Sequence, residues 1–322
     1  MHLCGVRGST PAVGAEYVRY GGHTSCVALA HDDSTRDDDD GGGAHDNGPS
    51  GASGSPPGTA HARAEHTGAA QSGAPRPTLI LDAGTGLQVA SRLFDGEPYA
   101  GTIVLSHMHW DHTLGLPFFP AGDDPRARVR VMVPEQESGQ DATSLLAGVM
   151  RPPYFPIEPT ELRGEWTFAT IAPGEHELEG FQVLVREIPH KGGRTLGYRV
   201  SDGRASIAYL PDHSPTALGP GEDGWGAYHP AALELARDAD VLVHDSAMFP
   251  AELAAQADFG HAVADYAVEL GRRAGVGEVV LFHHRHDRND DALDELAQRL
   301  ARPAAEGSPK VSVAIEGTTI EL

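Results

Sequence analysis

Metal-binding side chains are concentrated in the segment 106–112, which reads SHMHWDH. Two histidines at alternate positions, His107 and His109, are followed by the adjacent pair Asp111 and His112. Imidazole nitrogens and carboxylate oxygens are donors that suit zinc and similar divalent ions. Four such donors in this spacing can surround a pair of metal ions from one loop. The segment therefore predicts a two-metal centre rather than a surface loop that happens to be rich in histidine.

The predicted metal loop directly follows one of ten predicted strands, so it should lie at a strand end. Short apolar and β-branched runs predict these strands at 24–30, 78–82, 101–106, 129–133, 181–188, 196–200, 205–210, 241–243, 279–282 and 311–315. Apolar residues at helical spacing predict helices at 231–237, 263–274 and 290–300. Because strands and helices are interleaved without a second linker, we expect one α/β domain over residues 1–322, with sheets inside and helices outside.

The stretch 31–77 differs in composition from the rest of the chain. It is acidic, rich in glycine, proline and serine, and contains no aromatic residue. Such a composition cannot bury enough apolar surface to offset the entropy of ordering, so it predicts a disordered insert. The strands on either side, 24–30 and 78–82, are expected to form a hairpin whose turn has been expanded, which costs little because closure entropy grows slowly with loop length.

The charge of the chain bears on its partners. It has 46 acidic and 24 basic side chains, a formal net charge of −22, and no cluster of lysine or arginine. Proteins that hold nucleic acid by its backbone normally present a basic face. We therefore expect a small anionic substrate, consider nucleic acid disfavoured, and leave a homodimer open.

The location is expected to be the cytoplasm. No apolar run approaches the about 18 residues that a membrane-spanning helix needs. The first residues lack the basic head and apolar stretch of a secretory signal. Cys4 and Cys26 are the two cysteines, too few for a disulfide framework, and they suit a reducing compartment.

The motif at 107–112 resembles the signature of the metallo-β-lactamase-fold hydrolases. The resemblance extends along nearly the whole chain outside 31–77. The opening segments 5–11 (GVRGSTP) and 20–26 (YGGHTSC) are similar to those of the branch that contains ribonuclease Z and small-molecule phosphodiesterases. The segment 81–86 (LDAGTG) resembles the family's Asp-x-Gly turn beneath the metals. The fold that this resemblance implies is a four-layer αββα sandwich, a single α/β domain with the insert within it.

The resemblance also implies a complete ligand set for two divalent ions, with zinc as the first choice and manganese as the alternative. His107 and His109 would hold one ion with His190. Asp111 and His112 would hold the second with His283. The bridging and supporting carboxylates that the family pattern assigns are Asp212, between the two ions, and Asp82, which would orient a ligand histidine or the nucleophilic water.

A further acid and histidine match a proton-donating pair of ribonuclease Z relatives. Asp245 ends the segment VLVHD at 241–245, and His261 follows Gly260. Asp replaces the family's Glu at position 245, and Ala262 and Val263 replace a Ser-Thr pair. The resemblance implies that His261, held by Asp245, protonates the leaving group as the general acid, with a role in the start of a helix as the alternative.

The predicted reaction is hydrolysis of a phosphodiester by a hydroxide bridging the two metals, with Asp111 and Asp212 orienting it. Only residues 191–211 separate the third histidine from the bridging aspartate, too few for the tRNA-gripping arm of the tRNA-processing relatives. We therefore expect a small phosphodiester, such as a cyclic nucleotide or cyclic sugar phosphate. The alternatives are a ribonuclease Z-like endonuclease, a lactone or thioester hydrolase, and a non-catalytic metal-binding docking module; the choice of substrate is by analogy.

Overall fold

The strands and helices follow one another closely along the chain. The computed structural model describes residues 1–31, 75–300 and 307–322. The strands within these ranges are β1 His2–Gly5, β2 Arg7–Gly8, β3 Cys26–Leu29, β4 Leu79–Leu81, β5 Ala100–Val104, β6 Arg128–Pro134, β7 Glu165–Ile171, β8 Gly174–Leu178, β9 Phe181–Glu187, β10 Leu196–Ser201, β11 Ser206–Leu210, β12 Val241–Asp245, β13 Glu278–Phe282, β14 His284–Arg285 and β15 Lys310–Val313. The α-helices are α1 Leu87–Ala90, α2 Trp110–Thr113, α3 Ala142–Ala147, α4 Pro230–Ala236, α5 Leu253–Gln256, α6 Ala264–Ala274 and α7 Asp290–Leu300.

Two large sheets contain most of the strands. The first has the order β1-β3-β4-β5-β6-β7, and the second has the order β15-β13-β12-β11-β10-β9-β8. Strands β3 and β4 pair antiparallel, with Val27 opposite Leu81 and Leu29 opposite Leu79. This pairing confirms the hairpin that was predicted on either side of the insert.

Three apolar clusters show how the layers stack. One contains inward-facing residues of both sheets, such as Val104 of β5 and Tyr209 of β11. A second lies between the outer face of the second sheet and helices α4, α6 and α7. The third lies between the outer face of the first sheet and helices α1 and α3. Helix, sheet, sheet and helix thus form the four layers of an αββα sandwich, as predicted.

Local sequence explains the elements next to the candidate site. Strand β13, which lies between β15 and β12, reads EVVLF, with its last four residues buried, as expected for a parallel strand covered on both faces. Helix α6 buries one apolar stripe and ends at Gly275, which has φ +73°, the left-handed conformation that glycine adopts without steric cost at a helix end. The predicted helices 231–237, 263–274 and 290–300 correspond to α4, α6 and α7. The sequence did not predict β7 and β8, whose residues are largely polar or half-buried.

A small third sheet closes the edge of the sandwich beside the histidine-rich region. Strand β2 pairs parallel with β14, so that Arg7 lies opposite His284 and Gly8 opposite Arg285. The fully buried Arg7 guanidinium donates to the carbonyl oxygens of Gly21 at 2.7 Å and Arg288 at 2.6 Å. These contacts fix the N-terminal segment against the chain that follows β13.

The predicted disordered insert, 31–77, falls outside the described residues except at its ends, so its disorder stays a prediction. At one end His31 stacks on Phe181 with ring centroids 3.7 Å apart. Across the three described ranges, no helix is both long enough and apolar enough to cross a membrane.

Candidate metal centre

The predicted ligands follow the ends of strands in both sheets. The loop after β5 and the short helix α2 carry the motif residues His107, His109, Asp111 and His112. The other three side chains follow strands of the second sheet: His190 after β9, Asp212 after β11 and His283 after β13. The two sheets therefore bring all seven predicted ligands to the same edge of the sandwich.

The first group of side chains contains His107, His109, His190 and Asp212, whose potential ligand atoms all lie within 4.8 Å of one another. The Nε2 atoms of His107 and His190 lie 3.6 and 3.5 Å from Asp212 Oδ2. His190 Nε2 is 3.4 Å from His109 Nδ1. Four donors face one point, the number that a tetrahedral zinc site uses.

The second group contains Asp111, His112, Asp212 and His283, also within 4.8 Å of one another and all buried. The Nε2 atoms of His112 and His283 lie 3.2 and 3.1 Å from Asp111 Oδ2. The same two nitrogens lie 3.1 and 3.0 Å from Asp212 Oδ1. Asp212 thus presents Oδ2 to the first group and Oδ1 to the second, the arrangement of a bridging carboxylate.

Unpaired polar atoms show that this donor set suits cations. His107 Nε2, His112 Nε2 and Asp212 Oδ1 are buried and have no hydrogen-bond partner of acceptable geometry among the described residues. Buried polar atoms in folded proteins are nearly always satisfied, so an unsatisfied cluster calls for a ligand. Buried imidazole nitrogens and a carboxylate oxygen without partners, one of them in the first group and two in the second, suit divalent metal ions.

The protonation states are consistent with metal binding. Burial lowers the pKa of His107, His109 and His190, which keeps these imidazoles neutral and able to ligate. Burial alone would raise the pKa of Asp212, but the neighbouring histidines, His283 foremost, hold it well below its usual value. Burial also lowers the pKa of His112, but the carboxylates of Asp111, Asp82 and Asp212 outweigh it and raise this pKa well above its usual value, so an ion bound at the second group would displace a proton from this ring.

Asp82 supports the centre from beneath. Its Oδ2 accepts hydrogen bonds of 2.8 Å from His112 Nδ1, Ser106 Oγ and Tyr209 OH, and its Oδ1 accepts one of 2.6 Å from the Ser106 backbone nitrogen. The contact to Nδ1 fixes the His112 ring so that Nε2 faces Asp111 and Asp212. This is the orienting position that the sequence predicted for Asp82.

Asp82→Asn is expected to weaken metal binding. An amide has one oxygen and one NH₂, so a donor would face either the Ser106 N–H or the three donors that converge on Oδ2. Loss of such an orienting contact typically lowers metal affinity about 10–100-fold. Competition with a chromophoric zinc chelator would measure the affinity, with the exposed Asp123→Asn as the matched control. Unchanged zinc affinity in a folded Asp82→Asn variant would contradict the orienting role.

Asp245 and His261 lie together beside the centre. His261 Nδ1 is 2.9 Å from Asp245 Oδ2, and Asp245 also accepts from the backbone nitrogens of His213 at 3.1 Å and Ala247 at 2.9 Å. Burial lowers the pKa of His261, but the ionised Asp245 outweighs it and raises this pKa to about 9. The contact with Asp245 thus favours the protonated form of a histidine that lies next to the clustered ligands.

Backbone hydrogen bonds hold the start of α6, where the family has a Ser-Thr pair and this chain has Ala262 and Val263. Val263 occupies the N-cap position without a side-chain hydrogen bond. Instead, Met248 donates its N–H to Ala262 O at 3.1 Å and accepts the Ala264 N–H at 3.1 Å. This bridge between the segment after β12 and the start of α6 holds His261 near Asp245.

Sequence reasoning missed the surroundings of His213. His213 is fully buried, with Nδ1 3.0 Å from His244 Nε2. His244 is itself buried in β12. The pair packs behind Asp245, and only the alternation of side chains at the end of β11 hinted that His213 points away from Asp212.

Residues 78–284 match the family model of the β-lactamase superfamily domain. The chain belongs to this superfamily. Ribonuclease Z of Myxococcus xanthus is 35% identical over 280 residues, which cover 76% of this chain and 88% of that protein. Ribonuclease Z of Gemmatimonas aurantiaca is 24% identical over 287 residues, 76% of this chain and 87% of that protein. The β-lactamase-superfamily protein described here is therefore a hydrolase of the branch that the sequence motifs indicated.

Solved structures confirm the fold. A metallo-β-lactamase-fold protein from Bacillus subtilis aligns with a TM-score of 0.60 and 16% identity over 98% of this chain and 96% of its own. The short form of human tRNase Z aligns with a TM-score of 0.57 and 16% identity over 99% and 98% of the two chains. A diphosphatase of the PhnP family aligns with a TM-score of 0.51 and 20% identity over 77% and 84%. At these identities the likeness establishes the αββα architecture and not the substrate.

Proposed function

We propose that this β-lactamase-superfamily hydrolase is a two-metal phosphodiesterase that cleaves RNA in the manner of ribonuclease Z. The observation that supports the chemistry best is the position of Asp212, whose two oxygens face two separate groups of ligand atoms. The observation that supports RNA as the substrate is the similarity to curated ribonuclease Z proteins over most of their length. That likeness outweighs the preference for a small phosphodiester that we drew from charge and spacing.

In this proposal His107, His109 and His190 hold one ion, Asp111, His112 and His283 hold the other, and Asp212 contacts both. Zinc suits the mixed imidazole and carboxylate donors, and manganese is the alternative. Two divalent ions bound here would supply Lewis acidity toward the phosphoryl oxygens and a water acidic enough to act as a nucleophile near neutral pH. No other cofactor is required.

The chain's own residues supply orientation and a proton. The Asp111 and Asp212 carboxylates lie on the same side as the ligand histidines and would accept hydrogen bonds from the attacking water. His261 has its Nδ1 committed to Asp245 at 2.9 Å, which leaves Nε2 as the ring nitrogen that can give up a proton. As the bond to phosphorus breaks, His261 would protonate the leaving oxygen.

A small phosphodiester is the second candidate, favoured by one specific feature. Strands β10 and β11 form a tight hairpin in which Ser201 pairs with Ser206, so no tRNA-binding arm lies between His190 and Asp212. Nearby cations are also engaged: Arg194 contacts Glu187 at 2.9 Å, and Lys191 donates to the Asp258 carbonyl oxygen. RNA binding would therefore have to use another surface.

Three substrates assayed side by side would test the proposal. Zinc- or manganese-loaded protein is given bis(p-nitrophenyl) phosphate, a precursor tRNA with a 3′ trailer, and a cyclic nucleotide, with Asp212→Ala as the control. We expect metal-dependent release of p-nitrophenol and cleavage of the precursor, both absent from the control. Turnover of the cyclic nucleotide without cleavage of the precursor tRNA would show that the substrate is a small phosphodiester and not RNA. Protein that binds two metals but cleaves none of the three would overturn the phosphodiesterase proposal and direct the search to lactones and thioesters.

A further inference from the structure

The histidines of the two groups differ in how their rings are oriented. His107 Nδ1 lies 3.0 Å from Ser106 Oγ, His112 Nδ1 lies 2.8 Å from Asp82 Oδ2, and His190 Nδ1 lies 2.7 Å from the Gly260 carbonyl oxygen. These three rings have an orienting hydrogen bond from outside the ligand groups. His109 and His283 have none among the described residues, and His283 Nδ1 is a buried atom without any partner.

Steric contact with Gly8 takes the place of a hydrogen bond at His283. A Cβ atom placed on Gly8 would lie 2.2 Å from Cε1 and 2.3 Å from Nδ1 of the His283 ring. It would also lie 2.7 Å from Nε2, the ring nitrogen that faces the carboxylates, so the backbone of Gly8 already packs closely against the His283 ring. The faces of the same ring stack near His112 and His261, at centroid distances of 5.6 and 4.9 Å.

Gly192 has the same relation to His109. A Cβ atom on Gly192 would lie 2.5 Å from His109 Nε2, while His109 Nδ1 faces His190 Nε2 at 3.4 Å. Gly192 also has φ +90°, a conformation that side chains with a Cβ rarely adopt. Each of the two histidines without an orienting hydrogen bond is thus backed by a glycine that leaves no room for a methyl group.

We propose that Gly8 and Gly192 are positioning residues that set the ligand histidines His283 and His109, one glycine for each metal. The inference rests on the ligand set proposed above and is independent of the substrate. In place of a hydrogen bond, close backbone contact limits how far each ring can turn away from its ion.

The two glycines should differ in how far an added methyl group would displace the neighbouring histidine ring. Gly8 cannot retreat, because Arg7 is anchored to the Gly21 and Arg288 carbonyl oxygens and β2 is paired with β14. The next residue, Ser9, donates its backbone N–H to Asp111 Oδ2 at 2.7 Å, so a shift of this segment would also disturb a second ligand. Gly192 lies in an exposed loop, which can move more easily. A methyl group at position 8 should therefore displace the ring, whereas one at position 192 should partly displace the loop.

Zinc binding gives a readout separate from activity. Metal-free protein is titrated with Zn²⁺, bound zinc is counted after gel filtration, and Co²⁺ spectra report ligand geometry. Wild type should bind two zinc ions per chain. Gly8→Ala should retain one at the same protein concentration, and Gly192→Ala should keep both, one of them about tenfold weaker, near the lower end for loss of an orienting contact. Gly203→Ala is the matched control, because Gly203 also has φ +90° but no atom lies within 4 Å of its added Cβ. This variant should bind two zinc ions with wild-type affinity.

A double substitution separates positioning from general destabilisation. In a His283→Ala background the ring is gone, so adding Gly8→Ala should cause no further loss of zinc or of thermal stability. If Gly8→Ala alone fails to fold, the His283→Ala background should restore folding. The inference would be overturned if Gly8→Ala lowered zinc binding and thermal stability equally in the wild-type and His283→Ala backgrounds. It would also be overturned if Gly8→Ala bound two zinc ions with unchanged affinity. Fewer than two zinc ions in wild type would instead overturn the two-metal proposal itself.

Discussion

Asp212→Asn is expected to abolish most phosphodiester hydrolysis and to lower the zinc content. The carboxylate is 1% exposed and lies within 3.0–3.6 Å of four histidine nitrogens from both ligand groups. An amide keeps the shape but loses the charge and one acceptor oxygen, so it can contact one ion at most and the two ions no longer share a ligand. Charge stabilisation by metals is worth several kcal/mol, which corresponds to a rate loss of about 1,000-fold or more.

Metal-loaded protein at fixed zinc concentration would be assayed with bis(p-nitrophenyl) phosphate, and bound zinc counted in parallel. Asp123→Asn, an exposed and nearly isosteric exchange far from the ligand groups, is the control and should leave both values unchanged. If Asp212→Asn retained two zinc ions and more than a tenth of the wild-type rate, Asp212 would not bridge the ions, and the ligand set would need revision.

The motif residues could be predicted because they are close in sequence. His107, His109, Asp111 and His112 lie within six positions, so their residue types and spacing alone indicate a metal centre. His190, Asp212 and His283 follow three different strands, and only the family resemblance connected them to the motif. The structure brings them together because β9, β11 and β13, which alternate with β10 and β12 in the second sheet, end at the same edge of the sandwich.

Features that depend on packing between distant segments could not be predicted. His283 has φ +60°, a conformation that its residue type does not suggest, and its ring is confined by Gly8 about 275 residues earlier in the chain. The fully buried Arg7 reads in the sequence as an ordinary basic residue. Its hydrogen bonds are to backbone carbonyl oxygens, and such partners cannot be recognised from residue types.

Charge and the curated relatives point to different substrates. The net charge of −22 argues against nucleic acid, yet two curated relatives that match over most of their length are ribonuclease Z proteins. A net charge sums the whole surface, including the acidic insert, whereas binding depends on the potential at the site. Two divalent ions would add four positive charges where Asp82, Asp111 and Asp212 are buried, so the local field can favour a phosphate on an acidic protein.

The second large effect is expected for His261→Gln, and it should depend on the leaving group. With an RNA substrate the leaving oxygen is a poor leaving group that must be protonated, and loss of a positioned general acid costs about 10²–10⁴-fold. With p-nitrophenolate, which is stable as an anion, the same change should cost less than about tenfold, because little proton transfer is needed. The geometry behind this expectation is the 2.9 Å contact that commits His261 Nδ1 to Asp245 while Asp212 lies 3.9 Å away.

Rates would be measured across phosphodiesters of increasing leaving-group basicity, with the exposed His286→Gln as control and zinc content checked throughout. Equal losses with every leaving group, at full zinc content, would show that His261 binds or positions the phosphate and that the proton comes from elsewhere.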